Sequence, residues 1–300
     1  MIKAPPTPKG FRDILPELAK KRREVINTIV GVLEESGFVP VETPTIEFAE
    51  TLKGKYGEEE KLIYEFTDRG GRNLALRYDL TVPLARLVAS NLNLIAKGPF
   101  RRYQIGQVFR GEKPQAGRWR EFTQLDFDSV GSSDLSEDAR IIKTTIKCLE
   151  TLRINNFNIL VNDRDTFKQL SERGFVKDED LPQVIRIMDK LKKIGEKEVE
   201  DELEKNNFSK DILKNARLVD LSKVTQIYNI VGDKRLTISP DLARGLDYYT
   251  GMIFEVEIEG YGTSVAGGGR YDDLIGMFAK KQIPAVGGSF GIDRLIDALP

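Results

Sequence analysis

The sequence contains no histidine and a single cysteine, Cys148. Without imidazole, a Ser/His or Cys/His catalytic pair and a histidine-based zinc site are excluded. A lone cysteine excludes a disulfide framework and any redox or metal site built on a Cys-x-x-Cys motif. Any chemistry must therefore depend on carboxylates, arginines, amides and bound ions.

The sequence also lacks a charge excess and long apolar runs. Its 46 Lys and Arg residues nearly balance 47 Asp and Glu residues, for a net charge of -1. Nucleic acid would therefore have to be bound by a local basic patch, because bulk attraction is absent. No segment reaches the roughly 18 apolar residues of a membrane span, and the N-terminus lacks the apolar run of a signal peptide. These absences predict a cytoplasmic protein that does not enter a membrane.

Hydrophobic periodicity predicts an α+β fold. Helical spacing marks residues 17–36, with Gly37 as the stop, and residues 135–152. Strand patterns cover residues 73–77, 103–110, 121–130 and 252–258, and a strand-to-helix junction covers 285–298. A highly charged segment with short amphipathic helices lies between them. The pattern predicts an antiparallel sheet flanked by helices, with a core at 1–163 and 237–300 interrupted by a helical insertion domain at 164–236.

Arginines cluster around the loop of the predicted hairpin. Arg110 ends one strand, and Glu112 and Arg118 follow in the loop. A guanidinium at a strand end can donate two hydrogen bonds to a phosphate or carboxylate. A solvated basic turn is the alternative interpretation.

Three polar residues share one face of the returning strand, since Gln124, Asp126 and Asp128 are two residues apart. They indicate either an exposed sheet face or a pocket for a polar small molecule. Earlier in the chain, Thr81 is predicted to be the N-cap of a helix, and Asp79 either supports that cap or binds an ammonium group.

Glycine-rich segments surround the remaining candidates. Tyr248 and Tyr249 follow Arg244 closely, and adjacent tyrosines on a strand point to opposite faces, so one could line a pocket. Arg294 follows the glycine-rich strand end at 287–291 and either binds an anion or forms a structural salt bridge.

Taken in order, these segments resemble the class II aminoacyl-tRNA synthetases, and among them the histidyl-tRNA synthetases. Residues 38–44, 102–128 and 287–295 resemble the three motifs of the class. The stretches 244–250 and 268–272 are similar to those that identify histidine as the amino acid, and 9–13, 76–81 and 188–195 also match. The resemblance covers essentially the whole chain.

The resemblance implies a role for each matching residue. It implies histidine binding by Asp79, Leu80, Thr81, Arg110, Gln124, Asp128, Arg244, Tyr248 and Tyr249, and ATP binding by Arg110, Glu112, Arg118 and Arg294. Arg110 and Arg244 are the implied catalytic residues, at the α-phosphate of ATP. No metal held by the protein is expected, because Arg244 takes a role that other class II enzymes leave to a metal.

The implied reaction joins histidine to ATP as an adenylate and then transfers histidine to its tRNA. Mg²⁺ accompanying ATP and a homodimer are also implied. The family normally continues into a C-terminal anticodon-binding domain, which the sequence ending at Pro300 would lack, so weakened tRNA affinity is expected. The alternative is a catalytically inactive paralogue, the histidine-sensing regulatory subunit of ATP phosphoribosyltransferase, which shares the fold and lacks that domain.

Overall fold

The computed structural model describes residues 5–113, 118–243 and 248–299. Its strands are β1 (Val39–Pro40), β2 (Ile46–Phe48), β3 (Glu65–Thr67), β4 (Asn73–Leu76), β5 (Phe100–Phe109), β6 (Glu121–Val130), β7 (Phe157–Asp163), β8 (Leu236–Ile238), β9 (Met252–Ile258), β10 (Ser264–Arg270) and β11 (Ala285–Gly291). Its helices are α1 (Pro16–Glu35), α2 (Ala49–Leu52), α3 (Thr81–Ser90), α4 (Leu135–Thr151), α5 (Asp165–Glu172), α6 (Leu181–Met188), α7 (Leu191–Ile194), α8 (Glu196–Lys205), α9 (Ile212–Ala216), α10 (Ser222–Val231) and α11 (Ile292–Asp297).

The larger sheet has the strand order β1-β5-β6-β11-β10-β9-β7-β8. Its pairs are antiparallel except for β1 with β5 and β7 with β8. A smaller sheet has the order β2-β4-β3. This arrangement confirms the predicted antiparallel sheet of an α+β fold.

Alternation along the central strands separates an apolar face from a polar face. Phe127 of β6 stacks on Phe290 of β11, with ring centroids 5.7 Å apart, and both are fully buried. Helices α1, α4, α10 and α11 contribute to the same hydrophobic core. The opposite face of β6 carries Gln124 and the two aspartates, so it is available for a polar site.

The chain between β7 and β8 is helical, and its first part has a hydrophobic cluster of its own. Buried side chains of α5, α6, α8 and α9 form this cluster. Helix α10 differs, because its buried Val224, Ile227 and Val231 pack into the main core. We propose that the separate helical unit covers the part of 164–236 that precedes α10.

Several local predictions are confirmed. Helix α1 ends before Gly37, whose φ of +85° suits a glycine. The bounds of β6 agree with the prediction. The prediction that Thr81 is an N-cap is wrong, because α3 begins at Thr81 and the Oδ1 of Asp79 accepts the N–H of Val82.

Within the described ranges, no helix is long and apolar enough to cross a bilayer.

Candidate active site

A cleft of about 660 Å³ opens over the polar face of the large sheet. The predicted site residues that line it are Asp79, Thr81, Arg110, Glu112, Arg118, Gln124, Asp128, Tyr248, Tyr249 and Arg294. Leu80 is fully buried and is not among the lining residues, although its carbonyl accepts a hydrogen bond from Arg102. Arg244 lies outside the described residues. One cleft therefore unites side chains that are distant in the sequence.

Strand register brings the polar side chains of the cleft floor together. Asp128 pairs with Arg102 of β5 and with Gly287 of β11. Asp126 pairs with Ser289 on β11 in the same way. Because paired residues on neighbouring strands point to the same face, the side chains at these positions are neighbours across the cleft floor.

Asp128 is a buried carboxylate with two partners. Its Oδ2 lies 2.7 Å from the Nη2 of Arg102, and its Oδ1 accepts the hydroxyl of Tyr271 at 2.5 Å. Burial raises the pKa of Asp128, although the charge of Arg102 opposes that shift. The carboxylate is thus fixed in position at the floor of the cleft.

Glycines make room for this arrangement. A Cβ on Gly287 would lie 1.8 Å from the Oδ1 of Asp128. A Cβ on Gly269 would lie 2.4 Å from the carbonyl oxygen of Met252 and 2.8 Å from the ring of Tyr249. All three distances are shorter than real Cβ contacts, so the glycine-rich strands let polar and aromatic groups approach the backbone.

Asp79 forms a second buried carboxylate site beside the start of α3. Its Oδ1 accepts the hydroxyl of Tyr56 at 2.9 Å and the N–H of Val82 at 3.0 Å. The hydroxyl of Tyr248 is 3.4 Å from its Oδ2. Burial raises the pKa of Asp79, while these hydrogen bonds and the charge of Arg110 favour the ionised form. The carboxylate is suited to bind an ammonium group.

Aromatic rings fix the guanidinium of Arg110. Its central carbon lies 4.4 Å from the ring centroid of Tyr78 and 5.1 Å from that of Phe122, and its Nε donates to the carbonyl of Tyr78. Burial disfavours the charge, but Tyr78, Asp79 and Glu112 nearby raise the pKa of Arg110. The group is preorganised to bind an anion.

Two further arginines, Arg118 and Arg294, add positive charge to the cleft. Arg118 pairs with Glu112 at 2.9 Å. Burial and the nearby charges of Arg118 and Arg110 lower the pKa of Arg294. No ion pair to Arg294 is found within the described residues, and the adjacent carboxylate of Asp293 is bound by Arg12 and Arg22. The three arginines together favour a polyanionic ligand such as a triphosphate.

The amide of Gln124 belongs to a short hydrogen-bonded chain. Its Nε2 donates to the Oγ of Ser289 at 2.7 Å, and that hydroxyl donates to Asp126 at 2.5 Å. Burial is the main cause that raises the pKa of Asp126 to about 7. The Oε1 of Gln124 is buried and has no hydrogen-bond partner among the described residues.

Sequence reasoning assigned no role to several residues that shape the cleft, namely Arg102, Tyr56, Tyr271 and Ser289. Asp126 was a pocket candidate because it shares a face with Gln124, and Tyr271 lies in the stretch 268–272 that carries the family resemblance. Arg102 gave no signal on its own, because its role depends on the register of β5 against β6.

The side chains do not form a dedicated metal centre in the part of the chain that the structure describes. No group of three acidic or cysteine side chains is close enough there to hold a metal ion. Mg²⁺ commonly binds through one or two carboxylates together with substrate phosphates and water. Glu112 and Glu255 are lining carboxylates that fit such a partial contribution.

Comparison with known proteins identifies the family. The family model described as histidyl-tRNA synthetase matches residues 10–295. The chain belongs to the histidyl-tRNA synthetase family. Residues of all three predicted class motifs fall within the match. The family membership agrees with the fold and with a cleft that combines arginines and buried carboxylates.

Individual members of the family support this assignment. A curated histidine–tRNA ligase from Aeropyrum pernix is 43% identical, over 98% of this chain and 74% of the relative. The crystal structure of histidyl-tRNA synthetase from Nostoc sp. PCC 7120 is 31% identical, with a TM-score of 0.83, over 99% of this chain and 75% of that one. The chain thus spans about three quarters of each.

A third protein shares the fold. It is an ATP phosphoribosyltransferase regulatory subunit/histidyl-tRNA synthetase from Bacillus halodurans C. It is 24% identical, with a TM-score of 0.86, over 100% of this chain and 84% of that one. At this identity the similarity shows the class II synthetase fold and nothing more about either activity.

Proposed function

We propose that this protein activates histidine with ATP, forming histidyl-adenylate and pyrophosphate, and transfers the histidyl group to the 3′ end of its cognate tRNA. One observation carries the proposal: Arg110, Arg118 and Arg294 share a single cleft with the buried carboxylates Asp79 and Asp128. The cleft can therefore bind a polyanion and a cationic amino acid next to each other.

The carboxylate side of the cleft is the proposed histidine site. Asp79 and the free Oε1 of Gln124 would accept hydrogen bonds from the α-ammonium group. Asp128, fixed by Arg102, and Tyr249 would bind the imidazole, with Tyr248 beside them. Thr81 lines the same region, and Leu80 would contribute through the backbone at the start of α3.

The arginine side is the proposed ATP site. Arg110 would bind the α-phosphate, Glu112 and Arg118 would position the nucleotide, and Arg294 would bind the γ-phosphate. In the first step, a carboxylate oxygen of histidine attacks the α-phosphorus and pyrophosphate leaves with the electrons of the broken P–O bond. The attack brings two anions together, so fixed guanidinium groups stabilise the transition state electrostatically.

This chemistry requires neither a protein nucleophile nor a general base, because the attacking carboxylate is already ionised. A chain without histidine can therefore catalyse it. We propose a second arginine, Arg244, between the histidine carboxylate and the α-phosphate. Mg²⁺ would enter with ATP and neutralise part of the phosphate charge, with Glu112 or Glu255 as a ligand from the protein.

We further propose a homodimer. Several large apolar side chains are exposed on short edge strands of the two sheets, namely Val39 of β1, Ile46 and Phe48 of β2, and Phe66 of β3. Exposed apolar side chains of this kind favour a protein–protein interface. Val39 belongs to the segment that resembles the first class motif, which the resemblance implies is the dimer contact.

Exchange of labelled pyrophosphate into ATP tests the proposed activation step. Label should enter ATP only when histidine is present, because exchange requires reversible formation of the adenylate. Histidine binding without exchange would contradict the enzyme and support a regulatory, histidine-sensing protein. That alternative rests on the shared fold alone, whereas the more similar curated relatives are named ligases.

A further inference from the structure

The orientation of the Gln124 amide depends on two residues that have no role in the proposed function so far. The Oγ of Ser289 lies between the Nε2 of Gln124, at 2.7 Å, and the Oδ1 of Asp126, at 2.5 Å. All three side chains line the cleft, and they come from β6 and β11.

The number of available hydrogen atoms fixes the direction of each hydrogen bond. An ionised carboxylate only accepts, so the single hydroxyl hydrogen of Ser289 is donated to Asp126. The Oγ of Ser289 can then only accept from its other neighbour, which must be the NH₂ group of Gln124. The amide carbonyl consequently points away from Ser289.

The carbonyl oxygen that results is buried and lacks a partner within the described residues. A buried polar atom without a partner is costly unless a ligand completes it. The carboxylate of Asp79, a second acceptor, lines the same cleft. An ammonium group, which donates and cannot accept, is the kind of group that suits both acceptors.

We propose that Asp126 is a positioning residue that, through Ser289, turns the carbonyl of Gln124 toward the α-ammonium of the amino-acid substrate. The inference rests on the proposed function, because it specifies how the histidine site selects an amine. Asp126 does not itself contact the substrate in this account. Its role is to hold the serine hydrogen so that the amide cannot invert.

The buried surroundings of Asp126 are consistent with this role. The charged groups around it are Arg102 from β5, Asp128 from the same strand, Asp79 from before α3, and the buried Arg77 from the end of β4. Burial raises the pKa of Asp126 to about 7. Binding measurements at about pH 8 therefore report mainly on the ionised carboxylate of Asp126, which can only accept hydrogen bonds.

Removal of Asp126 should reverse the direction of the hydrogen bond between Gln124 and Ser289. In Asp126→Ala the hydroxyl of Ser289 is free to donate to the Oε1 of Gln124, which would present the NH₂ group to the substrate. In Ser289→Ala the amide has no partner on that side and can still rotate toward an ammonium. The two single variants should therefore differ, and the double variant should resemble Ser289→Ala.

Calorimetric titration with histidine and with its α-hydroxy analogue, imidazolelactate, tests the expected difference between the two single variants and the double variant. We expect Asp126→Ala to weaken histidine binding at least about tenfold, as for one hydrogen bond to a charged group. Imidazolelactate should lose much less, because a hydroxyl can accept from an NH₂ group. Ser289→Ala should show a smaller loss for histidine, and the double variant should recover to the level of Ser289→Ala. ATP binding is the control for intact folding.

Two results would overturn the inference. An equal loss for histidine and imidazolelactate in Asp126→Ala would show a general structural effect. Additive losses in the double variant would show that Asp126 does not act through Ser289. The unaltered protein separates this failure from failure of the proposed function. If it bound no histidine, the proposed function would be overturned as well; if it bound histidine and the variants gave either result above, only the inference would be overturned.

Discussion

The Nη2 of Arg102 lies 2.7 Å from the Oδ2 of Asp128, and both side chains are almost completely buried. The Nε and Nη1 of Arg102 have no hydrogen-bond partner among the described residues. The guanidinium therefore acts mainly as a buried positive charge beneath the cleft floor. It compensates the carboxylates that the proposed histidine site requires.

Replacement of Arg102 by methionine should destabilise the protein strongly. It would leave the buried carboxylates of Asp126 and Asp128 without their cation, and breaking a buried pair costs about 3 to 5 kcal/mol. Urea unfolding would measure the loss. Lys147→Met, which removes an exposed pair with Glu35, is the control and should cost less than about 1 kcal/mol. Similar losses in both variants would contradict the role of Arg102.

Asp128→Ala should weaken histidine binding more than ATP binding, because Asp128 belongs to the proposed histidine site. Arg294→Met is the matched variant in the proposed ATP site, and it should weaken ATP binding more than histidine binding. Calorimetry with each ligand separately measures both effects. Equal losses for the two ligands in Asp128→Ala would remove this residue from the amino-acid site.

Arg110→Ala should slow histidine-dependent pyrophosphate exchange at least about a hundredfold, which is the order observed when one preorganised donor at a transition state is lost. Its fixed position between Tyr78 and Phe122 makes the guanidinium such a donor. Arg23→Ala, at an exposed position of α1, is the control and should leave exchange unchanged. A small effect of Arg110→Ala would disprove its catalytic role.

Gly287→Ala should damage the histidine site, since the added methyl group would overlap the carboxylate of Asp128. We expect loss of histidine binding and a destabilisation of about 1 to 3 kcal/mol or more, as for overpacking. Gly31→Ala provides the control, because nothing lies within 4 Å of its Cβ and the residue is in a helix. That variant should gain about 0.5 to 1 kcal/mol. Normal histidine binding by Gly287→Ala would show that the strands can separate at this point.

The raised pKa of Asp126 predicts a dependence of stability on pH. Its ordinary value is 3.8 and its value in the folded protein is about 7, so the folded state binds the proton more tightly. Its stabilising contribution is complete at low pH and is lost as the pH rises through 7. Asp126→Asn removes this dependence, so its stability relative to the unaltered protein should increase between about pH 5 and about pH 8.

Urea unfolding at the two pH values measures this difference, and the charges of Arg102, Asp128 and Asp79 remain in both proteins. Asp13→Asn, at an exposed position, is the control for the Asp-to-Asn substitution itself. A relative stability of Asp126→Asn that falls as the pH rises would contradict the assignment.

The sequence predicted the strands better than their register. The bounds of β6 follow from its apolar alternation and the turn residues around it. The loop between β5 and β6 is too long for its turn type to fix the pairing. The neighbours of Asp128 therefore could not be predicted, and Arg102 was missed.

The sequence also left open which residue caps α3 and which hydrophobic core α10 joins. Asp79 and Thr81 are both good capping residues, but the N-cap position is Leu80, and the carboxylate of Asp79, one residue earlier, accepts the N–H of Val82. Helix α10 lies within the range 164–236 that was predicted to be a helical insertion domain, but the sequence does not say which hydrophobic core its apolar face joins. Both choices depend on tertiary packing, which local sequence does not encode.

The most direct test of the central claim, that one cleft holds histidine and ATP together, is a crystal structure with histidine and an α,β-methylene analogue of ATP. We expect the α-ammonium within about 3 Å of Asp79 and of the Oε1 of Gln124. We expect the imidazole beside Asp128 and the α-phosphate at Arg110. Density for the two ligands in separate places, or histidine with its amine directed away from Gln124, would contradict it.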